Sequence, residues 1–101
     1  MVFNGLFPIG TVVLLKNSTK RVMITGVCQN SIGGTQEELY DYVGCPFPEG
    51  FLSADQQYLF NGQQIDRIFF IGLQDEESLL FKEKADAALK GLREAEEMNK
   101  E

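Results

Sequence analysis

A chain of 101 residues has room for one domain with one modest core, which excludes a two-lobed enzyme with a cleft between its domains. Apolar residues make up 44% and charged residues 24%, the balance of a folded protein rather than a disordered one. With 15 acidic and 9 basic side chains the net charge of −6 repels a phosphate backbone, and the absence of histidine excludes Ser-His-Asp and Cys-His catalysis within this chain.

Pro8-Ile9-Gly10 is a turn signal leading into Thr11-Val12-Val13-Leu14-Leu15, a β-branched apolar run of strand length. Lys16 to Lys20 is polar and turn-prone, and Arg21 to Val27 alternates well enough to pair back on the first strand as a hairpin. Gln29 to Glu38 reads as a polar loop around Gly33-Gly34. Leu39 to Gly44 predicts a third strand, with Tyr40 and Tyr42 on one face and Leu39, Asp41 and Val43 on the other. Cys45-Pro46-Phe47-Pro48-Glu49-Gly50-Phe51 is expected as a rigid turn, because two prolines remove ladder donors. Tyr58-Leu59-Phe60 is a short strand; Asn61 then caps a single helical turn through Ile65, with Gln64 spaced to reach back to it. Arg67 to Gly72 is the last strand, and its apolar character on both faces predicts a central position or cover by the tail.

From Asp75 the composition turns helical: Asp75 suits an N-cap, and Glu76 and Glu77 suit the positive end of the helix dipole. Phe81, Ala85, Ala88, Leu92 and Ala95 recur at spacings of four and three, widened by Leu79, Leu80 and Leu89. Bulky residues come first and alanines later, so the expectation is a helix docked from Leu79 to Ala85 and projecting from Ala88 to Met98. The fold class is therefore α+β: a small, strongly bent antiparallel sheet or SH3-like barrel over residues 1–74, and a long acidic C-terminal helix over 75–101.

Cys28 and Cys45 are too few for a structural zinc site and read as reduced core thiols, with a disulfide between them, or redox chemistry, as the alternatives. No run of about 20 apolar residues is present to insert in a membrane, and Met1 to Phe7 lacks the basic start of a signal peptide, so a cytoplasmic location is expected. Tyr40, Tyr42, Phe47 and Phe51, gathered around two prolines, could present a recognition surface or roof a small core. Asp41 and Glu49 are candidates for an acidic pair, which works as acid and base only at a fixed separation in a cleft; otherwise they are solvated charges. Lys16, Lys20, Arg21 and Arg67 form a small basic spot suited to an acidic partner or to keeping a hairpin edge soluble. Gly33-Gly34 lacks the flanking pattern of a phosphate loop. The helical stripe, with Ala88, Leu92 and Ala95 at its free end, is the strongest binding candidate, since small residues let another helix approach closely.

The stretches Leu6 to Lys16, Lys20 to Gly26, Tyr40 to Gly50 and Tyr58 to Asn61, with Ile65 and Phe70 to Gly72, resemble a small domain-of-unknown-function family of Gram-positive bacteria. Its genes occur beside those for type VII secretion and LXG toxins, and the Tyr-Asp-Tyr run followed by Pro-Glu-Gly is the most distinctive part of the match. The resemblance implies a non-enzymatic accessory protein, a chaperone or targeting factor, binding a secreted toxin or its helical co-factor. It implies no catalytic residue, and no metal or cofactor is expected for this chain. Two other readings are an immunity-type inhibitor whose acidic surface neutralises a toxin, and a small hydrolase using Asp41 or Glu49.

Overall fold

The β-branched run after the Pro8-Ile9-Gly10 turn forms β1 (Val12–Leu15), and the chain then alternates through β2 (Arg21–Ser31), β3 (Glu38–Pro46), β4 (Tyr58–Phe60) and β5 (Ile65–Phe70) before the helix α1 (Glu76–Met98). The computed structural model describes residues 5–31 and 38–98. The five strands make one antiparallel sheet in the order β4-β3-β2-β1-β5. Because β4 and β5 stand at opposite edges, the sheet is open and does not close as a barrel. A bulge where Thr25 is the extra residue of β2, between the Ile24–Gly44 and Gly26–Val43 pairs, bends its longest hairpin.

Three strand expectations are corrected. Gln29, Asn30 and Ser31 belong to β2, paired with Tyr40, Leu39 and Glu38, so the polar loop is shorter than its composition suggests; Gly33-Gly34 lie outside the described residues. β3 continues through Cys45 and Pro46. Pairing with β4 stops at Gly44, so the donor that Pro46 lacks interrupts nothing there, and the ladder to β2 resumes with the Phe47 N–H donating to the Arg21 carbonyl at 2.9 Å. The last strand, β5, is neither central nor covered: it pairs with β1 alone, and from Asp66 to Phe70 every residue is exposed.

The core lies on the sheet face beneath α1, built from Leu6, Val13, Val22, Ile24, Tyr42, Phe60 and Ala85. Thr11, fully buried, fastens the sheet's far corner: its hydroxyl donates to the Pro8 carbonyl at 2.7 Å and accepts the Gly72 N–H at 3.1 Å. The backbones approach so closely there that a Cβ on Gly72 would fall on the Ile9 carbonyl oxygen. Both cysteines are free, Cys45 buried and Cys28 half-buried.

Both helical caps follow the sequence signals. Asn61 N–H donates to Gln64 Oε1 at 2.8 Å, opening a 3₁₀ turn over Gly62–Gln64. Asp75 Oδ1 accepts the Ser78 N–H at 2.8 Å while Ser78 Oγ accepts the Asp75 N–H at the same distance, a reciprocal cap at the start of α1. The docked face of the helix differs from the expected stripe. It runs through Ser78, Lys82, Ala85, Asp86, Leu89, Arg93 and Glu96, so only Ala85 of the predicted seam is buried. Nor is docking confined to Leu79–Ala85: Leu79 and Phe81 are half-exposed, whereas Leu89 packs on the core and Arg93 reaches the sheet. The division between held and bare is by face, not by length.

Candidate functional site

Polar groups fasten α1 to the sheet at two points. At its middle, Asp86 Oδ1 accepts the Leu6 N–H at 2.8 Å and Oδ2 pairs with Lys82 at 2.6 Å. Two turns later, Arg93 Nη2 donates to Asp41 Oδ1 at 3.0 Å and to Asn61 Oδ1 at 2.9 Å. Asp41 and Asn61 are themselves cross-tied, Asp41 Oδ2 accepting the Gly62 N–H and Asn61 Oδ1 the Asp41 N–H. Each carboxylate therefore meets both a cation and a backbone donor, which suits a half-buried charge.

With its polar face turned to the sheet, the helix leaves an apolar shoulder open. Phe81 and Leu92 are 54% and 45% exposed, and Ala88 and Ala95 are exposed between and beyond them. At 100° per residue these four positions share one side of α1, adjacent to the docked face. Beside the shoulder, the segment Leu6 to Ile9 and the first turns of α1 enclose an apolar groove of about 240 Å³, bordered by Pro8, Ile9, Leu73, Leu79 and Phe81.

The structure separates the four aromatics that sequence spacing groups together. Tyr42 is a core residue, 2% exposed, stacked on Phe60 at 5.4 Å and tilted against Phe7 at 6.4 Å. Its hydroxyl accepts the Phe7 N–H at 2.9 Å, and burial pushes its pKa up to about 12. Tyr40 lies towards the far end of the β2–β3 hairpin, its hydroxyl donating to Glu38 Oε2 at 2.6 Å; that bond, first among the causes, raises its pKa. Phe47 lies under Arg21 on the face away from α1, and Phe51 stands exposed in the loop before β4. Ala88, Leu92 and Ala95, by contrast, do share one surface.

Asp41 and Glu49 do not form an acidic pair: Asp41 is bound to Arg93, and Glu49 to Lys20 at 2.5 Å. The hydrogen bond from Lys20 holds the Glu49 carboxyl below the usual carboxylate range, the opposite of what a general acid requires. Among the described residues no cluster of three or more His, Cys, Asp or Glu is placed to hold a metal ion, and no helix is long and apolar enough to cross a membrane.

Sequence reasoning missed Leu6, Pro8, Ile9 and Leu73 as a wall of the groove. The available signal was the run of apolar residues just outside both ends of the strand region, with no strand pattern to absorb them. The family model described as Domain of unknown function (DUF4176) matches residues 6–81, from the first core residue to the second turn of α1. No curated protein and no solved structure matches the chain.

Proposed function

Because the chain belongs to the DUF4176 family, whose description leaves its function open, we propose from its surface that it is a non-enzymatic binding module. It acts as an accessory protein, of chaperone or targeting type, for a type VII secreted toxin of the LXG class. Its partner is a helical segment of that toxin or of the toxin's helical co-factor. The observation that carries this reading is the bare shoulder of α1: a helix fastened by ion pairs on one side keeps Phe81, Ala88, Leu92 and Ala95 accessible on the next. Bulky residues separated by alanines suit a second helix laid along the first, with its anchors in the groove beside Leu73 and Leu79.

Purified protein mixed with a toxin encoded at the same locus is expected to co-elute in size exclusion, and Leu92→Glu to abolish that complex while leaving the circular dichroism spectrum intact. Absence of a complex with every neighbouring gene product would refute the reading. The net charge of −6 favours one rival, an immunity-type inhibitor that covers a basic toxin face. That rival predicts rescue of cells from the toxin, whereas an accessory factor changes export without protecting.

A further inference from the structure

The sheet face turned away from α1 carries a second surface, on which the preceding reading does not depend. It is centred on β5, an edge strand of six residues paired with β1 alone. Proteins commonly blunt such edges by shortness, charged side chains, proline, a bulge or a covering element. β4, at the other edge, has three residues and ends in the buried Phe60. β5 carries Asp66 and Arg67 and is bulged, but it has neither lysine nor proline, and Ile68, Phe69 and Phe70 in succession are 44%, 46% and 61% exposed.

The register concentrates these aromatics. Val12 lies opposite Phe70 and Val13 opposite Ile68, so Phe69 is the extra residue of a bulge, and both phenylalanines border one hollow with Val12, Met23 and Phe47. Over it stand two cations. The Arg67 guanidinium lies 5.2 Å from the centre of the Phe69 ring, and that of Arg21 lies 5.8 Å from the same ring and 5.1 Å from Phe47. Although the chain has 15 acidic side chains, the ion pairs among the described residues use Lys20, Lys82 and Arg93; among those residues neither Arg21 nor Arg67 has a carboxylate within 4 Å, Glu49 feeling the Arg21 charge from further off. Asp66, next to Arg67, is the extra residue of a second bulge, between the Leu14–Arg67 and Leu15–Ile65 pairs. Stacking on a ring holds a guanidinium in place without using its N–H donors, which remain available to a planar anion.

We propose that this edge takes an extended acidic segment of another protein as a sixth strand, with carboxylates on Arg67 and Arg21 and the apolar side chains between them on Phe69 and Phe70. Three observations converge on that occupant. The unpaired strand supplies the backbone partner, the exposed rings supply apolar contact, and two arginines outside the ion pairs of the described residues select the sign of charge.

The test titrates the full chain with a synthetic decapeptide of alternating Glu and Val, and with its Lys and Val counterpart, following amide exchange by NMR. The expected result is binding of the acidic peptide alone, slowed exchange along β5 and not along β4, and about tenfold or greater weakening by Arg21→Glu with Arg67→Glu. Both arginines are exposed, so the double variant keeps its fold, and a spectrum of unchanged dispersion verifies this. The proposal is overturned if neither peptide binds, if both bind equally, or if binding survives the charge reversals. It is also overturned if β5 gains no protection, or if sedimentation shows a second copy of the chain on that edge. Leu92→Glu, on the opposite side of the molecule, is expected to leave this binding unchanged, so the strand site and the helix shoulder fail independently.

Discussion

The two edge strands of the sheet both end in phenylalanine, yet Phe60 of β4 is 0% exposed and Phe70 of β5 is 61% exposed. Residue type and edge position are alike; what differs is the sheet face, for Phe60 lies opposite Tyr42 on the face under α1 and Phe70 lies opposite Val12 on the other. α1 crosses to the β4 side because Arg93 reaches Asp41 in β3 and Asn61 immediately after β4, and beneath that crossing Phe60 stacks on Tyr42. Among the described residues no ion pair ties α1 to β5, and Phe69 is held by arginines from the outer face. An edge aromatic is thus buried or bared by the face that strand register gives it, because α1 covers one face alone, and no local propensity encodes that choice.

The sharpest way to break this comparison is to truncate each ring in turn. Phe60→Ala removes a fully buried aromatic and should cost about 3–5 kcal/mol, read as a lower midpoint in urea unfolding. The same substitution at Phe70 should cost below about 1 kcal/mol. Equal losses would mean that the two edges are not differently covered.

The next effect belongs to Tyr42, beside Phe60. Its pKa rises from 10.0 to about 12 in the fold, chiefly through burial, so the folded state keeps the phenolic proton where the unfolded chain loses it. The resulting stabilisation is fully present below pH 10 and is lost as the pH climbs towards about 12, by something on the order of 2–3 kcal/mol. Tyr42→Phe, though less stable at neutral pH because the Phe7 N–H loses its acceptor, should lack this alkaline slope when its unfolding is compared with the parent across that window.

What the sequence made legible follows the range of the interactions. Both caps, at Asn61–Gln64 and Asp75–Ser78, are made by residues three apart, and the Asn61 and Asp75 signals are plain in the letters. So are the β-branched runs of β1 and the start of β2. The strand order is not legible, because the apolar run Ile68-Phe69-Phe70 reads the same at a sheet's centre as at its edge. Helix phase fails for a related reason. An apolar stripe through Phe81, Ala88, Leu92 and Ala95 ordinarily marks the buried side, but here Asp86 bonds Leu6, 80 residues away, and Arg93 bonds Asp41, 52 residues away. Those polar contacts turn the stripe aside. That Ala88, Leu92 and Ala95 share one side of the helix could be read from sequence, but the reason that this side is accessible could not.

That account makes Arg93 the residue that sets the helix phase. Arg93→Ala removes its bonds to Asp41 and Asn61 and should cost about 1–2 kcal/mol, with faster amide exchange in the last turns of α1 than in the first. Arg93→Lys restores the charge but not the reach of one planar group to two acceptors, and should recover only part of the loss. If exchange in the last turns is unaffected, the ion pair does not hold the helix.

The smallest expected change is at Phe81, and it is the one on which the shoulder depends. A seam residue at this position would ordinarily be an anchor whose removal costs about 3 kcal/mol or more. Its ring is 54% exposed, however, and borders the groove instead of filling the core, so Phe81→Ala should cost below about 1 kcal/mol. Leu92→Glu, at 45% exposure, should be similarly mild, since its charge enters water rather than protein. Both should nevertheless remove a partner helix, because the side chains that stability does not need are those an incoming helix would cover. A loss of stability at Phe81 comparable to that at Phe60 would show the shoulder to be part of the core, leaving α1 without a free side to bind with.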